Sequence, residues 1–148
     1  MIREEHEEPA ELEEGIYEGL AGVRLAMRRF LAFSEATLAD AKVTSQQYQA
    51  MLVIKTSPAR QIAVRDLAEQ MLIQHNGAVQ LVDRLSAAGL VARIPSTEDK
   101  RSVLVALTST GDHVLEMLAT IHLQGMLTHE PLLAESLAQL RRLASLDK

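Results

Sequence analysis

The 148-residue chain has no cysteine and no tryptophan, and only two tyrosines and two phenylalanines. Without thiols there are no disulfides, no thiolate metal sites and no cysteine-based peroxide sensing. The core must therefore be built from Leu, Val, Ala and Met, and 47% apolar residues suffice for one domain. No apolar run approaches the length of a membrane span. The start "MIREEHEEPAELEE" lacks the basic opening and apolar middle of a signal peptide, so a cytoplasmic protein with no membrane contact is expected. Catalytic signatures are missing as well: there is no glycine-rich phosphate loop, no Gly-x-Ser-x-Gly elbow and no His-Glu-x-x-His. Carboxylates such as Asp66 with Glu69, or Asp112 with Glu116, have ordinary helix-surface spacing. No enzyme is expected.

Excess positive charge is also absent, the net charge being −5. Its distribution matters more than its total. Residues 1–14 hold seven acids and one base, a net of −6, so everything after them sums to +1. Residues 15–58 carry +2, residues 59–101 carry +1 and residues 102–148 carry −2. Seven carboxylates in fourteen residues cannot be buried, so 1–14 is read as a solvated acidic tail or a frayed helix extension. The bases Arg60, Arg65, Arg84, Arg93, Lys100 and Arg101 can converge on one face, and binding to a polyanion follows that local field.

What is present is helical periodicity interrupted by one β-rich stretch. Ile16, Leu20, Val23, Met27, Phe30, Leu31 and Leu38 keep helical spacing around Arg24, Arg28 and Arg29, predicting one long amphipathic helix. Thr44 is a good N-cap for "SQQYQAMLVIK", which Ser57 and Pro58 close, and Ile62 with Ala63 suits a short strand. In "VRDLAEQML", Val64, Leu67, Ala68 and Met71 form one apolar stripe. After a turn at Leu72 and Ile73, "QHNGAVQLVDRLSAAG" resumes the period through Ala78, Leu81, Val82 and Leu85 until Gly89 stops it. "LVARIPS" and "SVLVALT" read as two strands joined by the polar loop 96–101. Thr108 caps a helix from about Ser109 to Leu127, and Pro131 opens a last one with Leu133, Leu137, Leu140 and Ala144 on one stripe.

Helix, turn, helix and hairpin between Val64 and Leu107 make the outline of a DNA-binding winged helix. Gln74, His75, Asn76, Gly77 and Gln80 open its second helix with the polar or very small residues that a major groove admits. Gln and Asn can bond adenine edges, and glycine permits close approach. Asp99 and Arg101 lie two apart on the loop, so the carboxylate can brace the guanidinium for a narrow minor groove. Arg65, Arg93 and Lys100 supply charge for phosphates.

Through "VRDLAEQ", "VQLVDRLSAAGLVARIPSTEDKRSVLVALTSTG" and the Asp-x-Arg at Asp99 to Arg101, the chain resembles the MarR family of bacterial transcription regulators. The likeness extends more loosely over about Gly15 to Leu146. It implies a mainly α fold with a small β-hairpin wing: a winged helix-turn-helix at 44–107, flanked by dimerisation helices at 15–42 and 109–148, in one domain at 15–148. It further implies a homodimer on a pseudo-palindromic DNA operator, usually a repressor released by a small-molecule effector such as an aromatic acid or other hydrophobic anion. That effector would sit in a cleft between the dimer helices and the winged helix, where Arg24, Arg28 or Arg29 offers a cation. Two positions depart from the family pattern, Gln74 where Ser or Thr usually caps the recognition helix and Gln80 where a basic residue is frequent.

Competing readings remain in view. His113, His122 and His129 are nine and seven residues apart, which is no chelating pair on one helix turn, so no metal is expected and these histidines read as interface or surface groups. Met27, Met51, Met71, Met117 and Met126 are spaced like core residues. The alternative function is a winged-helix protein-interaction adaptor without specific DNA binding. Such an adaptor would show little salt-sensitive affinity for DNA.

Overall fold

The computed structural model of the chain describes residues 11–95 and 103–145. Five α-helices and a three-stranded sheet follow one another as α1 (Glu14–Asp40), α2 (Ser45–Thr56), a 3-10 turn (Pro58–Arg60), β1 (Gln61–Ala63), α3 (Val64–Met71), α4 (His75–Ala87), β2 (Val91–Pro95), β3 (Val103–Leu107) and α5 (Ser109–Ser145). The described residues fall into two compact units, one made of 11–31 with 126–145 and the other of Ala32–Gly125.

The second unit is the winged helix. Its α2 starts where the sequence places the cap: Thr44 Oγ1 accepts from the Gln47 amide at 3.1 Å, and Gln47 Oε1 accepts from the Thr44 amide at 2.9 Å. This reciprocal capping box satisfies two amide donors that a helix start leaves open. The sheet is antiparallel in the order β1-β3-β2, with Ile62 opposite Val105 and Arg93 opposite Val105 on its other side. Met51, Ile54, Leu67, Leu85 and Leu118 are almost fully buried in one cluster with Val105 of the central strand. Each such side chain contributes about 1.5–3 kcal/mol of burial. They hold α3 and α4 to the sheet.

Two turns set the direction of α4. Leu72 ends α3 in the left-handed region at φ 56°, with its side chain 93% exposed. The expected apolar turn is thus half outward-facing. At the other end Gly89 adopts φ +75°, a conformation glycine takes without steric cost, and α4 passes into β2. Thr108 then fastens that turn to the next helix, donating to the Gly89 carbonyl at 2.6 Å and accepting from the Gly111 amide at 3.0 Å.

The helical unit contradicts one expectation. The sequence predicts a helix ending near Leu127 and another opened by Pro131, whereas α5 is continuous from Ser109 to Ser145 with Pro131 inside it. Proline removes one intrahelical bond and costs about 3 kcal/mol in a helix interior. Packing beyond it offsets that cost, because Leu132, Ser136, Leu140 and Leu143 all lie against the glycine face of α1. A Cβ on Gly22 would fall 2.1 Å from Ser136 Oγ, so the two helices approach closely there and an added methyl would force Ser136 to shift. Gln139 seals the contact by donating to the Gly15 carbonyl at 2.7 Å.

Methionine burial also departs from expectation. Met51 is buried and Met71 packs partly against the core, but Met27, Met117 and Met126 are about half exposed. They follow the helical period of surfaces that their own units leave uncovered.

Candidate nucleic-acid interface

The first turn of α4 projects into solvent. Gln74 is its N-cap residue, His75 its first helical residue, and Gln74, His75, Asn76, Gly77 and Gln80 are all exposed, while Ala78, Leu81, Val82 and Leu85 are buried on the opposite side. The sequence-derived base-contacting residues therefore share one accessible helix end. Gln74 makes no side-chain capping bond. The amides of that turn and their partial positive charge stay open to an incoming acceptor, as at any uncapped helix start.

Arg65 stands near the start of α3 with its side chain 81% exposed and Asp66 3.9 Å away. A cleft of about 360 Å³ lies among Arg65, His75, Val79, Arg93 and Val103, bringing α3, α4 and the base of the hairpin around one concavity. Arg93 is not a free cation. Its guanidinium donates to the Asp83 carboxylate, joining β2 to α4. The bracing pair expected at Asp99 and Arg101, with Lys100 between them, lies outside the described residues.

Three further arrangements are not signalled by the sequence. Lys55 donates to Asp112 at 2.6 Å across a cavity of about 640 Å³ that Leu52, Ser109, His113 and Glu116 also line. The Lys55 hydrogen bond holds the Asp112 carboxyl below the usual carboxylate range; slight burial works against it, and the charges of Lys55, Arg60 and His113 add to it. His122, expected at a surface or interface, is buried at 5% exposure. Its ring stacks on Tyr48 at 4.3 Å and meets Phe33 edge-on. Ala59 and Arg60 both take positive φ ahead of β1. Periodicity cannot reveal these features, since each joins residues remote in sequence or depends on a local backbone angle.

Among the described residues no group of three or more His, Asp or Glu is placed to hold a metal ion, and no helix is long and apolar enough to cross a membrane.

This geometry has counterparts among known proteins. A family model described as "MarR family" matches residues 41–102. Residues 41–102 are thus similar to the MarR family. The transcriptional activatory protein BadR of Rhodopseudomonas palustris is 33% identical over 78 residues, 52% of this chain and 45% of that protein. The organic hydroperoxide resistance transcriptional regulator of Bacillus subtilis is 32% identical over 69 residues, 47% of this chain and 46% of that one. The chain thus spans about half the length of the curated relatives it matches. These relatives are transcriptional regulators, not enzymes. Among solved structures, the MarR family regulator AbsC from Streptomyces coelicolor superposes with a TM-score of 0.74 at 20% identity, covering 90% of this chain and 92% of that one. A MarR mutant from E. coli complexed with operator DNA gives 0.66 at 24% identity over 92% and 97%. Identities this low establish the shared fold alone.

Proposed function

We propose that the chain is a sequence-specific DNA-binding transcriptional regulator, working as a homodimeric repressor that a small ligand releases from a pseudo-palindromic operator. The observation that carries this reading is the exposed polar end of α4 (Gln74, His75, Asn76, Gly77 and Gln80) beside the hairpin base with Arg65 near it. In the major groove, Gln and Asn amides would read base edges and Arg65 would hold a phosphate. Arg101, positioned by Asp99, would enter the minor groove, with Lys100 on the backbone. The operator complex of the E. coli MarR mutant supports the assignment by fold.

Dimerisation draws support from α1, whose Tyr17, Leu20, Met27 and Leu31 are exposed at spacings of three, seven and four residues. Such a stripe on a soluble helix needs an apolar cover, and a second copy presents the complementary one. For the effector, a hydrophobic anion such as an aromatic acid has two cation-bearing places to go: the Lys55 cavity, where it would compete with Asp112, and a groove of about 330 Å³ on α1 lined by Arg24, Met27, Arg28 and Leu31. Arg29 is exposed on the same helix.

The test is a gel shift of the purified protein on DNA flanking its own coding region, with excess random-sequence duplex and a salt series. A discrete complex at two chains per site that weakens steeply with salt is the expected result. A protein with no salt-sensitive affinity for any duplex is instead a winged-helix protein adaptor.

A further inference from the structure

On α4, Asn76, Gln80 and Asp83 follow one another at spacings of four and three residues, so they form one stripe of the helix, and all three are exposed. The stripe whose first two members offer amides to base edges thus ends in a carboxylate. Beside duplex DNA an uncompensated carboxylate meets the phosphates' own charge, and like charges in apposition weaken a complex. Asp83 is compensated. Nη2 of Arg93 donates to Oδ1 of Asp83. Arg93 is itself held in place by the sheet, paired with Val105 of the central strand.

We propose that Arg93 is a positioning residue and not a phosphate anchor, and that it forms with Asp83 one electrically neutral unit that fixes the base-reading helix against the hairpin. This rests on the DNA-binding reading. A guanidinium already bound to a carboxylate adds no net charge to the interface, so the pair contributes nothing to the counterion release that makes binding salt-dependent. What it supplies is geometry, because β2 and α4 present to the duplex from a fixed relative position. The partners are 38% and 59% exposed, a setting in which an ion pair adds little to folding stability, so substitutions report on binding.

The experiment compares wild type, Arg93→Gln, Asp83→Asn and the double variant. Each is titrated against a duplex that the wild type selects from a randomised pool, and against random-sequence duplex, over a salt series. Arg93→Gln is expected to lose about tenfold in affinity for the selected duplex and less for random sequence. Adding Asp83→Asn should recover the part of that loss that comes from the bared carboxylate and not the part that comes from the missing bridge, and the double variant should keep the wild-type slope of log affinity against log salt. A double variant as weak as Arg93→Gln, with a slope shallower by about one unit, would overturn the proposal and make Arg93 a phosphate anchor. An Asp83→Asn protein that prefers a different base at one position would also overturn it, since Asp83 would then be reading a cytosine amine directly. So would an Arg93→Gln chain that no longer melts cooperatively, because the pair would then act on folding. If the wild type selects no sequence, the DNA-binding reading itself fails before any variant is compared, and the role of the pair falls with it.

Discussion

Ser34 Oγ lies 2.7 Å from Nε2 of His122, joining α1 to α5 inside the winged-helix unit. Nδ1 of the same ring is 2.6 Å from the Leu118 carbonyl, which can only accept, so Nδ1 carries the proton and Nε2 accepts the serine hydroxyl in the neutral ring. Ser34→Ala removes that donor from a buried site. The expected cost is about 0.5–1.5 kcal/mol, the net contribution of one intramolecular hydrogen bond. Urea unfolding of the two proteins checks it, and coincident midpoints would show that the bond contributes nothing.

Tyr48 stacks on that histidine, and burial pushes its phenol above the ordinary value of 10.0. The folded chain therefore holds the phenolic proton more tightly than the unfolded one. The sign follows from linkage: this contribution is complete below the unfolded value and disappears as pH rises through the higher folded value. Tyr48→Phe should flatten the alkaline decline in stability when denaturant midpoints are followed from neutral pH to beyond pH ~10. An unchanged decline would assign it to other groups.

Asp112 has the opposite sign. With its carboxyl held low by Lys55, its contribution is present above the ordinary carboxylate range and is lost as pH falls through the depressed folded value. Asp112→Asn should thus remove part of the acid-side loss of stability, read as a shallower dependence of the unfolding midpoint on pH below ~4. The same variant frees Lys55 in its cavity, so tighter binding of a test anion such as benzoate would mark that cavity as the effector site. Unaltered benzoate affinity would direct attention to Arg24 and Arg28.

How far the sequence is legible depends on how local each feature is. The α3 stripe, the Thr44 cap and the Gly89 stop are short-range patterns, and the structure has α3 at Val64–Met71, a capping box at Thr44 and a positive φ at Gly89. Pro131 misleads because its local cost is overridden by packing against Gly15, Gly19 and Gly22, more than a hundred residues earlier in the chain. Of the interface, the exposed α4 turn follows from the position of its apolar stripe. The pairing of Arg93 with Asp83 does not, since a lone arginine beside a DNA-facing helix reads as a phosphate contact until its partner is seen.

Gln74 offers a stabilising change with a functional cost. It caps α4 without a side-chain bond, whereas α2 has a full capping box. Gln74→Ser should raise stability by about 1 kcal/mol by satisfying one open amide. If the Gln74 amide reads a base, the same variant loses discrimination at one operator position while gaining in melting temperature. Retained discrimination would remove Gln74 from the set of base contacts.

Gly22 isolates the close approach of α1 to α5. Replacing a helical glycine with alanine ordinarily stabilises a helix by about 1 kcal/mol. Here the added methyl would meet Ser136 Oγ at 2.1 Å, and the contact also engages the Ser136 Cβ at 3.1 Å, so a rotamer change alone does not clear it. Overpacking of this kind costs typically about 1–3 kcal/mol, which exceeds the propensity gain. Gly22→Ala is therefore expected to destabilise, and Ser136→Gly in the same chain should restore most of the loss. A Gly22→Ala protein more stable than wild type would mean that the two helices sit farther apart than this contact requires, and would remove the packing that keeps α5 continuous across Pro131.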